Sequence, residues 1–322
     1  MGVGPEDGWF HPLLGRKSNA GQTRVVKYSG ALPLLGQQCE GPLRVTSRTS
    51  ATNEAIYDVT YRFDEHCRRQ VPNNRGRKRR KVVLAGCSFT FGEGVTDEQT
   101  IANQLAALRK DTAVYSISLP GFGPGDVLRE LQERGTRTEG LGPAGGVGVF
   151  LLIDGQLERT ICKSFCVQDR FAWVLQQRPY YRLNAQGDPV YVGTFRDSAP
   201  WKWRWYRLVF GSAFLEFVGW PRVNWTGADF RLMARLLAEI GKEMVEKAAI
   251  DRFVVVFYPS SSSYLAQNLR EPLTRLGVGF LDYSRLNLDV LTDDHAFFPV
   301  DGHPSPRSYY ALAWLLDRDL PD

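Results

Sequence analysis

Nowhere in its 322 residues does the sequence hold an apolar run of eighteen, so no transmembrane helix is expected. Histidine is scarce at four residues, and the five cysteines, Cys39, Cys67, Cys87, Cys162 and Cys166, follow no metal-ligand spacing. Cys162 and Cys166 stand one helical turn apart with no histidine near them in sequence, so no metal is expected. An odd cysteine count leaves at least one thiol without a partner in the chain. A dominant charge is also missing: 40 Lys+Arg face 35 Asp+Glu, a net +5. Six basic residues lie between Arg75 and Lys81, and without them the balance is −1. The excess therefore reads as a solvated linker, and no nucleic-acid partner is expected. The first ten residues include Glu6 and Asp7 and lack the apolar centre of a secretion signal. With an unpaired thiol this favours the cytoplasm, or export if a leader has been removed.

What the sequence does have is a hydrophobic share of 43%, enough for a sizeable core. Residues 1–80 are loops and short strands, with alternation over 56–63, and form a small N-terminal appendage ending in the basic linker. From residue 81 the texture becomes strand, Gly-rich turn, helix, repeated. Strands are expected at 81–85, 113–119, 147–153, 253–258 and 278–283. Helices are expected after the Thr96/Gln99 capping box, over 126–134, 229–249 and 264–276, and from the Pro304-Ser305-Pro306 start. Such alternation predicts a three-layer α/β/α sandwich on a five-stranded, mostly parallel, flavodoxin-like sheet over 81–322. Ligands in such folds sit beyond the carboxyl ends of the strands.

Two loops at those ends carry chemistry. Ser88 stands just past the first strand in Gly86-Cys87-Ser88-Phe89-Thr90-Phe91-Gly92, where a turn into a helix exposes both its hydroxyl and its N–H. Near the end, Asp301-Gly302-His303-Pro304 sets a carboxylate two residues before a histidine, the base suited to take a serine proton near neutral pH. Cys87 reads as a small buried hydrophobe, with a thiol nucleophile as the alternative, and His295 as a secondary candidate base. Gly121-Phe122-Gly123 has Asp126 where a dinucleotide fingerprint needs its last glycine, so no nucleotide cofactor is expected.

Together these segments resemble the SGNH/GDSL hydrolase superfamily. The family's strand followed by Gly-Asp-Ser-x-Thr-x-Gly is similar to residues 86–92, with Cys87 where Asp is usual, and its Asp-x-His-Pro is similar to residues 301–304. The resemblance implies a serine esterase in which Ser88, His303 and Asp301 form the triad. It implies an oxyanion hole from the N–H groups of Ser88 and Gly121, the latter in Ser118-Leu119-Pro120-Gly121. The family's third block has an Asn after the third strand; this chain reads Ile153-Asp154-Gly155-Gln156, and Gln156 is the candidate replacement donor. The substrate implied is an O-acyl ester of a small molecule or glycan, without metal or organic cofactor. An acyltransferase using the same site and a binding module on a degenerate scaffold are the alternatives.

The rhythm breaks between about residues 160 and 225, a stretch rich in Trp, Tyr and Phe with Lys202, Arg204 and Arg207 interleaved. Three readings compete: an aromatic helical hairpin packed on the sheet, an aromatic lid or cleft wall, and an interfacial membrane contact. The last is disfavoured because the apolar face does not read as cleanly periodic.

Overall fold

The computed structural model describes residues 24–29, 41–133, 136–162, 178–210, 225–259, 263–286 and 294–321. Strands β1 (Arg24–Tyr28), β2 (Leu43–Thr49) and β3 (Ala55–Tyr61) form an antiparallel sheet in that order. Burial alternates along β2, so one face of this sheet is apolar. Next come β4 (Arg80–Ala85), the one-turn α1 (Ser88–Phe91), α2 (Ile101–Leu108), β5 (Thr112–Ser116), α3 (Pro124–Glu133), β6 (Val147–Leu152) and α4 (Asp154–Ile161). A hairpin, β7 (Pro179–Leu183) with β8 (Pro189–Thr194), leads into α5 (Phe195–Ser198) and α6 (Pro200–Phe210). The chain finishes with α7 (Gly227–Ala248), β9 (Arg252–Phe257), α8 (Ser263–Arg275), β10 (Gly279–Asp282) and α9 (Pro306–Asp319).

The main sheet runs β10-β9-β6-β4-β5 with every pairing parallel. This is the flavodoxin-like order, in which β4 is flanked by β5 and β6 and the crossovers leave it in opposite directions. Successive residues of β4 serve opposite cores. Val83 and Ala85 pack with α3, α7 and α8, whereas Val82 and Leu84 pack with α2 and α9. Helices thus cover both faces, as a parallel sheet demands.

Several expected boundaries move. The second parallel strand ends at Ser116, not residue 119, with a ladder bond from Ile117 N–H to Leu84 O just beyond it. Helix α4 was not expected; Asp154 opens it and Gln156 bonds back to the Ile153 N–H at 2.9 Å. Of the aromatic stretch, the described residues 178–210 form a β-hairpin followed by the helices α5 and α6; whether α6 is one arm of the expected helical hairpin falls on residues 211–224, outside the described residues. Phe214, Phe217, Trp220 and Cys166 lie outside the described residues.

The apolar face of the N-terminal sheet joins the main core. Val26, Val45, Tyr57, Val59 and Tyr61 are in one buried cluster with Phe91, Phe150 and Phe257. Arg69 fastens this junction from a buried position. Its guanidinium donates to Asp97 Oδ1 at 2.9 Å, to Phe91 O at 3.0 Å, and to the carbonyls of Gly92 and Val95, while lying over the rings of Tyr61 and Phe91. It thereby satisfies carbonyls at the end of α1 that have no helical partner. Arg69→Met leaves Asp97 buried with only the more distant Arg62 for charge. The expected cost is about 3–5 kcal/mol, read as a lower urea midpoint at unchanged slope; a midpoint equal to wild type would refute the role.

Candidate active site

The site assembles where β4, β5 and β6 end. Beyond β4 the chain must turn at Gly86, whose φ is +154°, and a Cβ there would lie 2.2 Å from Thr90 Oγ1 and 3.0 Å from Leu151 O. Only glycine lets α1 fold back so closely over the strand. Cys87 then caps α1, its carbonyl accepting from the N–H groups of Thr90 and Phe91, and Ser88 becomes the first helical residue.

The Asp301 loop reaches the same place from the far end of the chain. Its backbone is a tight turn: Phe298 N–H donates to His303 O, Gly302 N–H to Phe298 O, and Ser305 N–H to Ala296 O. Val300 and Gly302 both have left-handed φ, +63° and +80°. For a β-branched residue this conformation costs about 1–3 kcal/mol, a strain that the surrounding bonds hold in place. Ser305 and Pro306 then start α9.

Ser88 Oγ lies 2.8 Å from His303 Nε2, and His303 Nδ1 lies 2.5 Å from Asp301 Oδ1. The His303 N–H also donates to Asp301 Oδ1 at 3.2 Å. A carboxylate at Nδ1 requires that nitrogen to carry the proton, which leaves Nε2 as acceptor for the Ser88 hydroxyl. The Phe89 ring lies 5.4 Å from the imidazole, centre to centre. Ser88 and His303 are buried, 4% and 8% exposed. Such a chain can move a proton from the hydroxyl to the ring and store the resulting charge beside a carboxylate.

Glu93 is a carboxylate that sequence reading did not assign. It is buried, with Oε2 3.5 Å from His303 Nε2 and Oε1 accepting from Tyr57 OH at 3.4 Å. Nearby, Gly94 N–H donates to Tyr61 OH at 2.9 Å. Burial beside Glu93 pushes the Tyr61 phenol far above its ordinary range, so it stays neutral. The Gly92-Glu93-Gly94 loop was visible in sequence, but nothing there linked it to Tyr57 and Tyr61.

The oxyanion candidates are on adjoining segments. Ser88 N–H and Gly121 N–H donate to no acceptor among the described residues. Gly121 follows β5 with φ +79°, and the next turn packs on α4, since a Cβ on Gly123 would be 2.9 Å from Thr160 Oγ1. Gln156 is fully buried; its Oε1 is used by Ile153, and its Nε2 has no partner among the described residues. Arg178, which sequence reading also missed, donates to Gly121 O at 2.6 Å and pairs with Asp126 at 2.7 Å. Asp126 in turn accepts from Gly123 N–H at 2.8 Å. No signal in the sequence pointed to Arg178, because it lies more than fifty residues from the loop it holds.

The lesser candidates separate. His295 is exposed and presents its carbonyl to Ser305 Oγ. Cys87 is fully buried as a free thiol within the α2/α9 core, as expected of a small hydrophobe. Cys67 and Cys162 are disulfide-bonded. Among the described residues no group of His, Cys, Asp and Glu could hold a metal, and no helix is long and apolar enough to cross a membrane.

No family model and no curated protein matches the sequence. Solved structures do match in fold. The chain is similar to a lipolytic protein of the G-D-S-L family from Veillonella parvula, with 10% identity over 74% of this chain and 97% of that one (TM-score 0.41). It is similar to a lipase/acylhydrolase from Enterococcus faecalis, with 15% identity over 74% and 94% (TM-score 0.37). It is also similar to an acetyl xylan esterase from Butyrivibrio proteoclasticus, with 14% identity over 76% of this chain and 64% of that one (TM-score 0.42).

The cysteine placement makes a direct prediction. Under non-reducing conditions iodoacetamide should label Cys87 only after unfolding and leave Cys67 and Cys162 unlabelled even then. Peptide mass spectrometry reads each site, and labelling of Cys87 in the native protein would contradict its burial.

Proposed function

We propose that the chain is a serine esterase that removes a short O-acyl group from a small molecule or glycan. The observation that carries this reading is the hydrogen-bonded series Ser88, His303, Asp301, with distances of 2.8 and 2.5 Å. Ser88 Oγ attacks the ester carbonyl as its proton passes to His303 Nε2. Asp301 holds the Nδ1–H and balances the imidazolium. Glu93, 3.5 Å from Nε2, adds a second carboxylate to that charge once the proton has arrived. The tetrahedral oxyanion is held by the N–H groups of Ser88 and Gly121, with the Gln156 amide as third donor. His303 returns the proton to the departing alcohol oxygen, and water then attacks the acyl-enzyme by the reverse route, releasing the acid. The burial of Ser88 and His303 supports a small acyl group. The disulfide-bonded Cys67 and Cys162 support work in an oxidising compartment, where such bonds persist, over the cytoplasm suggested by the cysteine count.

Hydrolysis of p-nitrophenyl acetate tests the scheme. Ser88→Ala and Asp301→Asn should each lower kcat by at least about 10⁴-fold, and a fluorophosphonate probe should label wild type but not Ser88→Ala. Equal rates, or labelling that survives the substitution, would reject it. Arg178→Met should lower kcat by about 10- to 100-fold with KM nearly unchanged, since it loosens the Gly121 loop and not the nucleophile. An unaltered kcat would remove Arg178 from the positioning of that loop.

A further inference from the structure

Helix α6 presents an outward face that neither the sheet nor the site uses. Trp201, Trp205 and Leu208 are 78%, 61% and 70% exposed. Their spacing of four and then three residues places them on one stripe of the helix. The opposite face is anchored: Tyr206 is buried with Phe195, Ala199, Tyr180 and Cys162, and Trp203 packs against the same cluster. The sequence looked aperiodic because two sets of aromatics, one inward and one outward, occupy the same eleven residues.

Charge borders the stripe. Lys202 lies on one flank by helical phase, over the Tyr206 ring at 5.6 Å, and Arg204 and Arg207 lie on the other, Arg207 over the Trp203 ring at 5.0 Å; all three are exposed. Arg204 sits over the Trp201 ring at 5.4 Å. Residues 200–210 carry Lys202, Arg204 and Arg207 and no acidic residue, a local +3, although outside residues 75–81 the whole chain balances to −1. Val190 and Val192, alternate residues of β8 in the same insertion, are also exposed.

We infer that α6 is an interfacial helix that seats Trp201, Trp205 and Leu208 in the headgroup region of an anionic lipid bilayer, with Lys202, Arg204 and Arg207 facing the lipid phosphates. Exposed indoles and an aliphatic side chain flanked by cations have the composition of a helix lying in a membrane surface. A glycan platform would use the flat rings but has no use for Leu208 or for a ring of cations. This surface is independent of Ser88, so the inference stands or falls apart from the esterase reading.

The test is co-sedimentation of the full chain with vesicles of phosphatidylcholine alone or mixed with phosphatidylglycerol. Wild type should pellet with the mixed vesicles at low salt, bind phosphatidylcholine alone at least about 10-fold more weakly, and be released as salt rises. The Trp201→Ser/Trp205→Ser variant should lose at least about 10-fold in partitioning, and the Lys202→Gln/Arg204→Gln/Arg207→Gln variant should lose its preference for the anionic lipid. Both substitute exposed side chains, and unchanged thermal melting would verify that they fold. Failure of wild type to pellet would overturn the inference, as would binding indifferent to both variants. It would be overturned equally if the Trp variant instead abolished retention on insoluble cellulose or xylan, or converted a dimer to a monomer in sedimentation velocity.

Discussion

Strand β4 bears the constraint on which the site depends. It is hydrogen-bonded in parallel register to β5 on one side and β6 on the other, so three carboxyl ends are forced to one edge of the sheet within two strand spacings. Ser88 follows the first, Gly121 the second and Gln156 the third. None of these residues needs a long-range bond to find the others; the ladder places them. The imidazole alone must be imported, and the turn before α9 delivers it.

That import is held from an unexpected direction. Residues 41–80 do not merely precede the sheet: Tyr57 and Phe298 both pack against Gly94, their ring centres 5.6 Å apart. Arg69 ties the end of α1 through buried bonds to three carbonyls. The loop that follows Ser88 and the loop that precedes His303 are therefore packed against the same N-terminal ring. A strained Val300 persists there because it is fixed on both sides by backbone bonds.

The insertion is joined to this centre at one end and faces outward at the other. Arg178 enters as the hairpin begins and pins the Gly121 loop, while the cluster around Phe195 and Tyr206 rests beside Cys162 at the close of α4. The buried side of α6 is thus linked through α4 to the segment bearing Gln156. Its other side carries the exposed Trp201, Trp205 and Leu208.

Local signals carried much of this structure. Short apolar runs marked β4, β6 and β9, because a strand covered on both faces must be apolar throughout. Pro306 and Ser305 marked the start of α9, and Ser88, Asp301 and His303 stood out as candidates through the resemblance of residues 86–92 and 301–304 to one family's motifs. The sequence by itself determined the layer order and which loops lie at the strand ends, since both follow from hydrophobic pattern and turn residues close together in the chain. Only the tertiary structure decided that Glu93 meets His303, that Arg178 holds Gly121, and which aromatics of α6 face solvent. Those outcomes depend on side chains brought together from distant segments, and on burial, which residue type alone does not report.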